Sequence, residues 1–227
     1  AWLTVALDPE IVRDITKRTN IVTVAIFGDD EGFFQGWEKF VGGVFDWSLT
    51  GYPPALKWHA SRGDNTLGFT MLVNGDCFKP SRGLKQDIDV SFVGNSGPQR
   101  KKFMKLLEKQ GVKVECFGRD WPAGPVTNEK MLQIFARSKI NLNIAGQPLH
   151  FWLDPKVIAR LFVKREWLED GSSRLVQDFR NFVGNFRTEL NWSRPASRGR
   201  LFELMAAGAF ALTYRAEYFG DDLRDGE

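Results

Sequence analysis

The stretch Arg198-Gly-Arg-Leu-Phe-Glu-Leu-Met-Ala-Ala-Gly-Ala-Phe-Ala-Leu-Thr213 reads as a helix followed at once by a strand. Leu201, Phe202, Leu204 and Met205 give a short, almost wholly apolar helix, and Gly208 is placed to close it as a C-terminal cap. Phe210 to Thr213 then reads as a buried strand. Two features are foreign to a plain core element. Glu203 sets a carboxylate among interior-facing residues, where an unpaired charge is costly. Arg198, Gly199 and Arg200 stand at the helix start, where free N–H groups and the helix dipole favour an anion. A basic helix mouth with an acid one turn inside suits a ligand carrying both phosphates and hydroxyls, such as a nucleotide sugar. An i,i+3 pair between Arg200 and Glu203 on a partly exposed face accounts for the same residues, and the two readings stand side by side.

Upstream of that stretch the chain alternates strand and helix, the pattern of parallel sheets with crossover helices. Asp87 to Val93 is a strand, Gly94 to Pro98 a loop, and Gln99 to Gln110 a helix burying Phe103, Met104, Leu106 and Leu107. A strand from Val112 ends at Phe117-Gly118, Glu129 to Arg137 is a helix, and Ile140 to Ile144 a strand. An earlier series has strands at Trp2–Leu7, Ile21–Phe27, Val44–Leu49 and Thr66–Val73. Its helices run from Asp8-Pro9 to about Arg18, from Phe33 to Val41 and from Pro53 to Ala60. The β-branched run Ile21–Phe27 predicts a strand buried on both faces. Asn74 to Gln86, rich in turn residues, reads as a linker. The stretch at about 146–197 exceeds what a βα unit needs and predicts a helical hairpin. Asp154-Pro155 opens its first helix, with Val157, Ile158, Leu161 and Phe162 on one face and Gly171 at its end; Ser173 opens the second. The first series begins in mid-pattern and the first residue is Ala, so a piece of a longer protein is expected.

Composition narrows the function classes. Of 227 residues 43% are hydrophobic, with 19 Phe and 8 Trp, ample for a core, and a net charge of +3 is too mild to imply nucleic-acid binding. Cys77 and Cys116 match no metal-ligand spacing and read as free thiols. His59 and His150, the two histidines, leave little scope for metal or histidine chemistry. No apolar run reaches the roughly 18 residues a membrane helix needs.

The loop Val93-Gly-Asn-Ser-Gly-Pro-Gln-Arg100 lies between strand and helix, where open α/β sheets bind ligands. It matches neither G-x-G-x-x-G nor a G-K-[ST] phosphate loop, which disfavours a nicotinamide oxidoreductase. Arg100, nearest the loop, is the better candidate for a diphosphate than Lys101 or Lys102, which suit a solvated helix face. Asp29 and Asp30 follow a strand and are candidate catalytic or acceptor-binding acids, with a helix-capping turn as the alternative. His59, beside Trp58 in a helix, reads as packing or surface rather than as a base. Asn141 and Asn143 share a strand face, where internal hydrogen bonds can satisfy them.

Asp87-Ile-Asp-Val-Ser-Phe-Val-Gly94, Arg100, Phe117-Gly118, Ser138-Lys-Ile-Asn-Leu-Asn143 and Arg198-Gly-Arg-Leu-Phe-Glu203 through Ala207-Gly208 to Leu212-Thr213 follow one another in an order that resembles the CgeB-like (spore maturation protein) branch of the group 1, family-4-like glycosyltransferases. Phe27-Gly-Asp-Asp30 and Phe45-Asp-Trp-Ser-Leu-Thr50 resemble it too. The resemblance implies a GT-B fold of two Rossmann-like domains. Residues 1–80 would be a partial, acceptor-side N-terminal domain. Residues 81–227 would be the nucleotide-sugar domain, carrying the helical insertion. It implies hexosyl transfer from a nucleoside-diphosphate sugar to a glycan, lipid-linked or protein acceptor, with no cofactor, metal or nucleic acid. Donor contacts would come from Gly94, Arg100, Gly118, Arg198, Arg200, Glu203 (on the ribose) and Gly208. Eight positions before Glu203, where many relatives carry another glutamate, stands Pro195, so no donor-sugar contact transfers. The expected setting is cytoplasmic, in surface-polysaccharide synthesis. Contact of the insertion with the inner membrane face is the lesser alternative to packing. The competing function is a noncatalytic nucleotide-sugar or interaction module of the same fold.

Overall fold

Asp8 opens the first helix, α1 (Pro9–Arg18), by accepting the Glu10 amide at 2.9 Å, with Pro9 in the first turn and Lys17 and Arg18 in the last. The computed structural model describes residues 8–28, 30, 34, 43–69, 73–81, 83–144, 158–159, 161–168, 173–186 and 199–214. Strands β1 (Val24–Phe27), β2 (Trp47–Thr50) and β3 (Thr66–Gly68) pair in parallel in that spatial order. Helix α2 (Pro53–Arg62) joins β2 to β3, beginning on a proline and closing at Gly63 in the left-handed conformation.

A spatial order that follows chain order sends each right-handed crossover to the same face. Ala25, Phe27, Ser48 and Thr50 are buried, together with Ala55 and His59 of α2, whereas Val24, Ile26 and Leu67 are exposed. The strand expected over 21–27 to be buried on both faces is therefore corrected: it spans Val24–Phe27 and is buried at alternate residues. The strand expected at 2–7 and all but Phe34 of the helix expected at 33–41 lie outside the described residues.

The second sheet is built from β4 (Ile88–Val93), β5 (Glu115–Phe117), β6 (Ser138–Asn143) and a last strand. Helix α3 (Pro98–Lys109) follows β4, and α4 (Asn128–Arg137) precedes β6, with Thr127 accepting the Lys130 amide as its N-cap. Two further strands, β7 (Val163–Trp167) and β8 (Ser173–Gln177), form an antiparallel pair. Helix α5 (Gly199–Ala206) then leads into β9 (Ala211–Thr213). The order β5-β4-β6-β9 is parallel throughout, so the winding reverses between β4 and β6. Met131, Ile134 and Phe135 of α4 and Leu204 of α5 pack with Ile88 and Val93, while Met104 of α3 packs with Phe92 and Leu142. The architecture is α/β with two parallel sheets, the second wound in the Rossmann-like manner.

Two stretches of the expected helical insertion are strands instead: the backbone of Val163–Trp167 pairs antiparallel with that of Ser173–Gln177, and Gly171, expected to end a helix, lies outside the described residues. The chain divides into two compact units, residues 1–70 with 150–194 and residues 71–149 with 195–227, so the hairpin belongs to the first. Within the stretch read as a linker, Phe78 packs against the core of the second unit and Pro80 lies against Gly208.

A polar thread runs through the second sheet. Ser91 donates to Asn141 Oδ1 at 3.0 Å, the single Ser138 hydroxyl proton is shared between Ser91 Oγ and the Ile134 carbonyl, and Asn141 Nδ2 donates to the carbonyls of Phe135 and Phe210. All three side chains are buried, so each bond replaces water that is not there. Asn143 and Thr213 bond likewise across β6 and β9. The network holds three strands in register. Replacement of Asn141 by Ala strands the Ser91 hydroxyl and loosens two carbonyls, and should cost about 2–3 kcal/mol of stability. The check is a lower urea midpoint with an unchanged denaturant slope.

Candidate functional site

In an open parallel sheet the carboxyl ends of the strands flanking the winding reversal form a crevice. Here those ends are Val93-Gly94 and Asn143-Ile144. The Gly94 amide donates to the Phe117 carbonyl at 2.8 Å, and its own carbonyl accepts Trp121 Nε1 at 2.9 Å. Gly118 sits directly on it: at φ 128° a Cβ there would lie 2.2 Å from the Gly94 oxygen. A Cβ on Gly94 would in turn lie 2.9 Å from the Phe92 ring. Arg100, in the first turn of α3, donates to the Asn95 carbonyl at 2.7 Å and to the Ile144 carbonyl at 3.0 Å. Gly94, Arg100 and Gly118, singled out in the sequence, thus meet at one edge of the sheet. Gly118 is held to glycine by the Gly94 carbonyl, and Gly94 by the Phe92 ring.

Helix α5 turns into β9 through Ala207–Phe210 and runs back along the sheet, which brings its Arg200 end to the same carboxyl edge. Arg200 pairs with Glu203 one turn on, each about a quarter to a third exposed. Its guanidinium also contacts the Met131 sulfur and lies 5.8 Å from the Phe135 ring centre. Burial lowers the Arg200 pKa, and Glu203 pulls the other way. Gly208 closes α5 at φ 65°, its amide donating to Met205, with the Pro80 ring where a Cβ would point. Its place is a helix cap. Arg198 lies outside the described residues.

The first unit contains a cluster that the sequence did not announce. His59 Nε2 faces Asp30 Oδ1 at 2.7 Å and Nδ1 faces Asp64 Oδ2 at 2.9 Å. Thr50 donates to the other Asp30 oxygen, and Arg62 holds Asp64 through Nε at 3.0 Å and Nη2 at 2.6 Å. Arg62 Nη2 also lies 3.0 Å from His59 Nδ1. Asp30 and His59 are buried to within 1%. The Phe27 ring stacks on the imidazole at 5.1 Å and Phe34 meets it edge-on at 5.0 Å. Burial alone would lower the His59 pKa; hydrogen bonds from Asp30 and Asp64 and the Asp30 charge outweigh it, against Arg62, and the pKa is raised. Burial would raise the Asp64 carboxyl, yet Arg62 and His59 bring it below its ordinary range. Asp30, a candidate catalytic acid, is thereby engaged with Thr50 and His59 in the interior, and its partner candidate Asp29 lies outside the described residues. The only sequence-level hint was His59 in the helix expected over Pro53–Ala60, which the structure extends to Arg62.

An open trough of ≈ 920 Å³ beside β5, lined by Met104, Cys116, Trp121 and Pro122 among others, contains none of the candidate nucleotide-binding residues. Burial pushes the Cys116 thiol up to about 11, so it stays protonated at neutral pH, and Cys77 is likewise free. Among the described residues no group of three His, Cys, Asp or Glu side chains is arranged to hold a metal ion, and no helix is long and apolar enough to cross a membrane. Comparison with protein-family models, with curated proteins and with solved structures gave no match.

Two outcomes follow from this geometry. Because the His59 pKa is raised on folding, its stabilisation is complete below about 6.5 and disappears as pH climbs through the folded value. Asp64, lowered on folding, contributes above about 3.9 and loses its contribution as pH falls. Stability of the first unit should therefore be greatest between those limits and decline on the alkaline side, and His59→Phe should abolish the alkaline decline in melting curves while costing about 3–5 kcal/mol through the unpaired carboxylates. In the second unit Gly118→Ala should cost about 2–4 kcal/mol, since both backbone strain and the Gly94 oxygen oppose a Cβ. Urea unfolding of the variant measures it.

Proposed function

We propose that the chain is the nucleotide-sugar-binding part of a GT-B glycosyltransferase that transfers a hexosyl group from a nucleoside-diphosphate sugar to a glycan, lipid-linked or protein acceptor. The observation that carries this reading is the β5-β4-β6-β9 order. It puts the Gly94–Pro98 loop at the winding reversal and turns the Arg200 end of α5 to the same edge of the sheet. The likeness of the motif order to the CgeB-like branch supports it from the sequence side.

In this reading Glu203 accepts two ribose hydroxyls, and Arg200 with the N-terminal amides of α5 takes the diphosphate. The acceptor oxygen attacks the anomeric carbon as the bond from that carbon to the diphosphate oxygen breaks. The acceptor's proton passes to a base, and the charge left on the diphosphate is stabilised by the guanidinium and the helix end. Arg200 supplies charge where a metal otherwise would, so transfer proceeds without a divalent ion. In the described part of the first unit the candidate acid Asp30 is held by His59 and Thr50. Acceptor recognition and the base then fall to residues beyond those described, Asp29 among them. The residues described serve donor binding, as they would in a noncatalytic module of the same fold.

A carboxylate holding two hydroxyls makes charge-assisted bonds, so Glu203→Ala should weaken nucleoside-diphosphate binding roughly ten- to a hundredfold. Calorimetry with UDP, GDP and ADP tests it. Binding by the parent at unchanged strength in a folded Glu203→Ala chain removes Glu203 from the site, and no binding of any of the three removes the reading itself. Magnesium or manganese should leave the measured affinity the same within about twofold; a steep dependence would return the diphosphate to a metal.

A further inference from the structure

Arg100 is the one basic residue at the Gly94 loop whose side chain reaches across the winding reversal. Its two guanidinium nitrogens serve different strands: Nη1 takes the carbonyl of Asn95, just past β4, and Nη2 that of Ile144, just past β6. Carbonyls at strand ends have run out of ladder partners, and a charged donor satisfies them more strongly than a neutral one. The guanidinium carbon lies 5.4 Å from the Phe92 ring centre, the same ring that meets Trp121 edge-on and that closes off Gly94. The end of β9 joins the assembly: Tyr214 packs on Phe103, one turn along α3 from Arg100, at 6.5 Å between ring centres. The Arg100 charge also reaches the Tyr214 hydroxyl, opposing the burial that raises it.

We infer that Arg100 is a positioning residue, a strap that holds the ends of β4 and β6 at the spacing of the crevice, and that it does not supply its charge to a bound diphosphate. The inference rests on the nucleotide reading for its functional consequence, though the strap itself is a property of the chain without ligand. Two fixed forks to carbonyls need the planar guanidinium. A lysine ammonium, with one nitrogen, keeps the charge and cannot span both. Direct binding of phosphate makes a different demand: charge matters, and a lysine, as a point charge, retains part of the affinity that a glutamine loses.

The experiment compares full-length Arg100→Lys and Arg100→Gln with the parent, in two measurements. The first is amide exchange without ligand at Gly94 and Ser96, whose N–H groups bond to Phe117 and Arg119. Loss of the strap should speed exchange there about tenfold in both variants, with the β4 interior amides unchanged. The second is calorimetric affinity for UDP, GDP and ADP beside their nucleosides. The strap predicts that Lys and Gln weaken nucleoside and diphosphate by the same factor, about tenfold. Unchanged exchange at Gly94 and Ser96 in both variants overturns the inference. So does recovery of diphosphate affinity by Lys and not by Gln. Should the parent bind no nucleotide at all, the nucleotide reading fails, and the exchange measurement alone still decides the strap.

Discussion

The Gly94 carbonyl is the point on which the carboxyl edge of the second unit's sheet depends. It accepts the Trp121 indole, and it lies so close to Gly118 that any side chain there would collide with it. Those two constraints pin the loop after β5 against the loop after β4. The Gly118 amide meets Gly124 and its carbonyl meets Trp121, so the turn from Gly118 to Gly124 is a closed structure. Phe92, beneath Gly94, then has Trp121 on one side and the Arg100 guanidinium on another. A single backbone oxygen therefore couples the ends of β4 and β5, and Arg100 extends the coupling to β6. Under the nucleotide reading these contacts hold the edge of the sheet in place before any ligand arrives, which lowers the ordering cost of binding.

What the sequence made legible was whatever local chemistry decides. Asp8-Pro9 and Thr127 start helices through a side chain and the next few amides, and Gly208 ends one through its own φ. Strand–helix alternation likewise follows from short-range pattern, and the parallel sheets came with it. The hairpin was misread because two periods overlap. Phe179, Phe182, Val183 and Phe186 are spaced as on a helix, and the chain there is helical, from a 3-10 turn at Phe179–Asn181 onward. Extending that period back over Ser173–Gln177 hid a strand. Phe78, within the stretch read as a linker, has no local pattern, and only the tertiary core gives it a place.

His59 shows why the first unit's polar centre was invisible. Its two carboxylate partners lie 29 and 5 residues away, and only one of them is near enough in sequence to be guessed. On a helix wheel the residue looks like packing, and packing is half of what it does, between Phe27 and Phe34. The other half is charge. An imidazole between two aspartates, its pKa raised by them, with Arg62 on the outer one, sets two basic groups against two acidic ones. Asp30, which chain position alone offered as a catalytic acid, is one of the four.

The same displacement of apparent chemistry into structure operates in both units, and it narrows what is left for a ligand. Arg100 is engaged with carbonyls, and Gly94 and Gly118 with each other. Among the described candidates Arg200 and Glu203 remain, and they hold each other. Under the nucleotide reading the two cannot stay so. A diphosphate competes for Arg200 with two negative charges or more against the one of Glu203, and as it draws the guanidinium away it leaves the carboxylate uncompensated beside a half-buried helix face. A ribose diol supplies the missing donors at that moment. Phosphate and ribose recognition are then a single coupled event, and a ligand with only one of the two groups pays for breaking the pair without the second set of bonds. By this reasoning a bare nucleoside or inorganic diphosphate binds worse than half the free energy of the nucleoside diphosphate would imply, and the excess measures the Arg200–Glu203 pair.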